Sequence, residues 1–137
     1  MELVVRPKTH TKEGLSERQV VDIILSAIDS IQKHNNVSFK LILYVSTNVD
    51  DPIDFRRTAE IVHEYRNKGV VGFGIFGDED ISPNAFSYFH STFSFLKQSR
   101  IKIVIFAGRN DANTMVHAIK NGASRISGGF ECHGKNE

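Results

Sequence analysis

The chain has 137 residues, 17 basic and 16 acidic side chains, a net charge of +1 and a single Cys. That length suits one domain spanning residues 1–137, and 40% hydrophobic content supplies an apolar core without a disulfide framework. The near-neutral charge argues against a nucleic-acid or anionic-membrane binder, no apolar run approaches the ~18 residues of a membrane span, and Met1–Pro7 lacks a secretory layout, so a soluble cytoplasmic protein is expected.

Leu3–Val5 reads as the first strand. Ser16-Glu17-Arg18-Gln19 is a capping-box signature, and Val20, Ile24, Ala27, Ile28 and Ile31 follow at helical spacing as one apolar stripe. Phe39–Val45 is the second strand. Asp51-Pro52 then supplies an N-cap and a proline at the first helical position, opening a helix whose inner face carries Phe55, Ala59 and Val62. Val70–Phe76 is the third strand. The next helix, near Asn84–Gln98, sets Phe86, Phe89, Phe93 and Leu96 along one side. Ile101–Phe106 is the fourth strand. A last helix begins at Asp111, carries Met115 and Ile119 inward and stops at Gly122, ahead of a fifth strand at Ala123–Ile126.

The strands are rich in Val, Ile and Phe, and most are apolar throughout, as expected when both faces of a parallel sheet are covered. Alternation of strand and helix makes the class α/β, with about five parallel strands and four connecting helices. Two architectures take such a series. One is an open doubly wound sheet; the other is part of a (β/α)₈ barrel, whose usual size is ~250 residues.

Several local patterns carry no chemistry. Gly72-Phe73-Gly74-Ile75-Phe76-Gly77 spells G-x-G-x-x-G, but its glycines lie inside the apolar run, and Asp78-Glu79-Asp80 puts negative charge where a pyrophosphate would sit. His63, His90 and His117 fall in helices, and no His pair has metal-ligand spacing. Cys132 and His133 are adjacent, so on an extended chain they point apart. Asn36-Val37-Ser38 is a glycosylation pattern that matters only in a secretory route.

A larger pattern emerges from segments taken in order. Val70-Val71-Gly72-Phe73-Gly74-Ile75-Phe76-Gly77-Asp78-Glu79 resembles the fifth-strand signature Val-Val-Gly-Ile-Asp-Leu-Ala-Gly-Asp-Glu of the adenosine deaminase family. Phe106-Ala107-Gly108-Arg109 stands where that family has His-Ala-Gly-Glu, ending the sixth strand. Arg125-Ile126-Ser127-Gly128-Gly129 resembles its Arg-Ile-Gly-His-Gly. Upstream, Glu2-Leu3 with Pro7, then Gly14-Leu15-Ser16 and Val20-Val21, are similar to its third strand and following helix. The resemblance covers nearly the whole chain and implies a partial (β/α)₈ barrel, strands three to seven, from a zinc-dependent hydrolase of the adenosine 6-amino group. In that chemistry a metal-bound water attacks the purine carbon while a Glu protonates the ring.

The departures bear on activity. The family's zinc His falls on Phe106, its general-acid Glu on Arg109, and the His of Arg-Ile-Gly-His-Gly on Gly128. The fifth-strand Asp becomes Gly74, while the first-strand His pair and the final Asp pair would fall outside these residues. No cofactor is therefore expected in this chain, and no turnover. Gly77 retains the glycine whose backbone N–H contacts the purine in the family, although a tight turn would equally require glycine there. Ser46-Thr47-Asn48-Val49-Asp50-Asp51-Pro52 resembles the family's last-strand Ser-x-Asn-Thr-Asp-Asp-Pro, whose first Asp binds zinc, yet it precedes the fifth-strand signature; helix capping by Asp51-Pro52 accounts for it.

Three readings follow. The first is a truncated, catalytically degenerate relative of adenosine deaminase. The second is a half-barrel that binds a purine nucleoside or another chain through its exposed sheet edges. The third is an unrelated open-sheet enzyme with its site at Ser46-Thr47-Asn48, Asp78-Glu79, Arg109-Asn110-Asp111 and Ser127.

Overall fold

The computed structural model describes residues 1–46, 50–76, 88–107 and 113–128. Five strands form one sheet: β1 (Glu2–Val5), β2 (Lys40–Ser46), β3 (Val70–Phe76), β4 (Lys102–Ala107) and β5 (Arg125–Gly128). Their spatial order is β1-β2-β3-β4-β5, and every neighbouring pair is parallel. A doubly wound sheet reverses its order at a switch point, whereas a barrel steps always to the same side. The sequential order therefore removes the open-sheet reading.

Among the described residues, four α-helices connect the strands: α1 (Glu17–His34), α2 (Pro52–Glu64), α3 (His90–Gln98) and α4 (Asn113–Lys120). Both expected N-termini form as capping boxes, Ser16 with Gln19 and Asp51 with Asp54, and Pro52 opens α2. The αL conformation of Gly122, φ +93°, follows the end of α4 as expected of a helix-terminating glycine.

Alternation along the strands divides their residues between two faces. Leu41, Leu43 and Val45 of β2, Phe73 and Ile75 of β3, and Ile103 and Ile105 of β4 join a single apolar core with Val21, Ile28, Phe55, Ala59, Ile61, Val62, Phe93, Leu96 and Ala118 of the helices. The other parity places Ile42, Tyr44, Gly72, Gly74, Phe76, Lys102 and Val104 on the opposite face. That face is concave. Arg125 of β5 donates from Nη1 and Nη2 to the two carboxylate oxygens of Glu2 in β1, at 2.7 and 2.8 Å. Contact between the first and fifth of five consecutive strands requires strong curvature, since these positions stand opposite one another in an eight-stranded barrel. The sheet is a partial (β/α)₈ barrel.

Two inward faces differ from expectation. In α1, Val20, Val21 and Ile28 are buried, whereas Ala27 and Ile31 of the anticipated stripe are exposed. Val21, Ile24, Leu25 and Ile28 face the sheet because α1 carries two adjacent apolar stripes and only one meets β1 and β2. In α4 the inward residues are Thr114, Met115 and Ala118, while Ile119 is exposed. Phe86 lies outside the described residues.

Candidate functional site

In parallel α/β barrels, chemistry gathers at the C-terminal ends of the strands. Here that rim begins with Arg6, directly after β1. Pro7 starts a 3₁₀ turn (Pro7–His10), which presents Lys8 beside Arg6 near the N-terminus of α2. Asp50 and Asp51 lead into the same helix, so two cations and three carboxylates, counting Asp54, converge where β1 and β2 end.

Asp50 is at the centre. Its side chain is 1% exposed and accepts from Arg6 Nε at 3.0 Å and Nη2 at 2.5 Å. Its Oδ2 also accepts the Ser46 N–H at 2.8 Å, and its own N–H donates to the Ser46 carbonyl at 3.0 Å. Lys8 Nζ donates to Asp54 at 2.6 Å and stands 3.8 Å from Asp50. Arg57 reaches Asp54 at 3.2 Å and Glu17 at 3.5 Å. Arg6, Asp50, Lys8, Asp54, Arg57 and Glu17 thus form one chain of alternating charge.

This network shifts its members in opposite directions. Burial alone would raise the Asp54 carboxyl, but the hydrogen bonds from Lys8 and the Asp51 N–H, with the charges of Lys8 and Arg57, hold it below its ordinary value. The Asp54 hydrogen bond raises Lys8, and the Asp50 hydrogen bond raises Arg6. Glu17 is raised by burial, which the Arg57 charge offsets only in part; its Oε2 has no hydrogen-bond partner among the described residues. Asp54, held below its ordinary value by Lys8 and Arg57, lacks the poised basicity that proton abstraction requires. The network joins β1, β2 and α2.

Further along the rim the surface is aromatic. Tyr44 and Phe76 meet edge to face on the concave side, with ring centroids 5.2 Å apart and an interplanar angle of 69°. Gly74 lies on this same face, in register with Tyr44.

Phe106 lies in β4 in register with Ser127, and Gly128 closes β5 opposite Ala107. Gly74 lies within β3. Gly77, Asp78, Arg109 and the Cys132-His133 pair lie outside the described residues. Asp51 caps α2 as expected. His63 is in α2, exposed, with its ring centroid 5.7 Å from that of Phe95, and His90 stands 3.5 Å from Ser94 in α3, away from the strand ends. Arg6, Lys8, Tyr44 and Phe76 were not singled out from sequence, although a charged residue placed directly after an apolar strand, as in Val5-Arg6-Pro7, is the available signal.

The adenosine deaminase family model matches residues 1–135. The chain belongs to the adenosine deaminase family. It is 37% identical over 134 residues to a probable adenosine deaminase of Dictyostelium discoideum, covering 97% of this chain and 17% of that protein. Against the adenosine deaminase of Enterococcus faecalis it is 25% identical, covering 95% of this chain and 38% of the relative. The chain thus spans well under half of these relatives. Among solved structures, an adenine deaminase from Arthrobacter aurescens superposes with a TM-score of 0.78 at 18% identity, over 98% of this chain and 40% of its own. Arabidopsis ADAL complexed with IMP gives 0.76 at 19% identity, over 93% of this chain and 39% of its own. At such identities the structures speak for the fold, and they agree with the barrel curvature of the sheet.

Proposed function

We propose that these 137 residues carry the barrel scaffold of the adenosine deaminase family without its hydrolytic groups, and do not convert adenosine to inosine. The substitutions at Phe106, Arg109 and Gly128, where the family places His, Glu and His, carry this reading. Phenylalanine offers no lone pair to a metal, and a guanidinium does not exchange a proton near neutral pH. Removing acid–base assistance alone typically costs ~10²–10⁴ in rate.

Zinc is named with one structural neighbour, an amidohydrolase from Burkhoderia ambifaria. The residues described here do not fit that ion. Both oxygens of Asp50, the carboxylate best matched to the last-strand motif, are engaged by Arg6 and the Ser46 N–H. Asp50 is therefore occupied by protein donors where a metal ligand would need free lone pairs.

IMP and GMP are named with the Arabidopsis relative, which makes an uncharged purine nucleoside or its nucleotide the ligand class to examine, with Gly77 as the contact that the resemblance retains. The deciding measurement is chromatographic detection of inosine after prolonged incubation with adenosine, with and without added zinc. No product above a heat-treated control is expected; zinc-stimulated turnover would overturn the proposal.

A second reading, a half-barrel that associates with another chain, is favoured by one observation. Among the described residues, β1 and β5 each pair on one side only, and Leu3 and Val4 of β1 are exposed. Beside β1, an apolar groove of about 300 Å³ is lined by Val5, His10, Leu15, Val20, Ile23 and Ile24.

A further inference from the structure

We propose that Gly74 and Phe76 act as one unit in which the Phe76 ring, seated over Gly74, plugs this level of the barrel lumen and excludes a charged side chain from it. The proposal is independent of whether a purine binds.

The space above Gly74 is too small for a side chain without movement of its neighbours. A Cβ built there would lie 3.1 Å from Phe76 Cε2, 3.1 Å from Tyr44 Cβ and 3.5 Å from Ile42 Cγ2. Ordinary carbon contacts fall at about 3.5–4.0 Å, so even a methyl group forces its neighbours to give way. The obstruction has two parts of different character. Tyr44 Cβ is fixed to the backbone of β2, which is in register with Gly74 through the parallel ladder. Phe76 Cε2 belongs to a side chain two residues along the same strand, and its ring leans back over position 74 while meeting Tyr44 edge to face.

The ring at position 76 thus occupies space that a side chain at position 74 would need, beside the fixed wall of β2. The strand signature that this segment resembles shows the reverse arrangement, with Asp at the position of Gly74 and Ala at that of Phe76. Side-chain volume has moved two residues along the strand and exchanged a carboxylate for a ring. A carboxylate returned to position 74 beneath the ring would meet an apolar surface built from Ile42, Tyr44 and Phe76, without a donor among those three side chains except the Tyr44 hydroxyl. This level of the lumen is thus closed to an ionised group by packing as well as by composition.

The test is a double-mutant cycle read by thermal unfolding of the full chain. Gly74→Ala is expected to lower the midpoint by about 5 °C, as modest overpacking does in a chain of this size. Gly74→Asp should lower it further or leave no cooperative transition. In the Phe76→Ala background the same two substitutions should cost no more than about half as much, because the mobile half of the obstruction is gone. Should Gly74→Asp fail to fold in either background, the alanine pair still closes the cycle. Equal costs of Gly74→Ala with and without Phe76, or Gly74→Asp tolerated beneath the intact ring, would overturn the proposal.

Discussion

Asp50 reaches its partners across 44 residues of sequence to Arg6 and four to Ser46. A carboxylate so enclosed is stable only while its partners remain, since a buried charge stripped of its counter-ion keeps the desolvation cost without the attraction. Arg6→Met is therefore expected to destabilise the fold by about 3 kcal/mol, the lower end for a broken buried pair because Lys8 remains 3.8 Å away. Asp50→Asn should cost roughly half as much, because the amide oxygen still accepts the Ser46 N–H and Arg6 can turn toward water. Urea unfolding of both variants checks this, and equal losses would contradict it. Sequence pattern pointed to Asp50 as a displaced zinc-type aspartate or a neighbour of a cap. Its bidentate pairing with Arg6 has no local periodicity, so nothing in a linear reading could reveal it. Asp51 differs, since its capping partner lies three residues on and the turn is written in adjacent positions.

At the scale of elements, α2 shows what made part of the fold legible. Phe55, Ala59 and Val62 form one stripe, and the remaining apolar or buried positions of that face reinforce it. Phe55 stacks on Phe89 with ring centroids 3.6 Å apart and planes within 4°, and meets Phe73 edge to face at 6.4 Å. It thereby ties α2 to β3 and to the entry of α3. Phe55→Ala is expected to cost about 3–5 kcal/mol, whereas Ile53→Ala, one turn edge away and exposed, should stay within about 0.5 kcal/mol. Denaturant midpoints of the two variants provide the comparison. Helix α1 shows the opposite case. Val20, Val21, Ile23, Ile24, Leu25, Ala27, Ile28 and Ile31 spread apolar character over two stripes, so periodicity establishes a helix but not its buried face. That choice is made by where β1 and β2 end up, which is a property of the sheet. The strands were legible because double-sided burial gives unbroken apolar runs; the meeting of Tyr44, Gly74 and Phe76 on one face was not, because it depends on the register between β2 and β3.

For the molecule as a whole, the sheet has a core side closed by four helices and two strands with an unpaired side among the described residues. Open edges recruit other strands unless charge or proline blunts them. If association runs through β1, light scattering should show mass rising with concentration, and Val4→Lys should hold the chain monomeric by placing a cation on the exposed strand. A wild-type protein that stays monomeric throughout would exclude that route. The Glu2–Arg125 contact then limits what such an assembly can look like. Eight strands close a (β/α)₈ barrel, and twice the five strands found among the described residues is too many. Barrel diameter grows with strand number, so a cylinder made from two copies would be wider and would pull Arg125 off Glu2. A partner contributing three strands would leave the ion pair in place. The pair is a built-in gauge of stoichiometry: its survival on association marks completion by a complementary piece, and its rupture marks closure by a second copy.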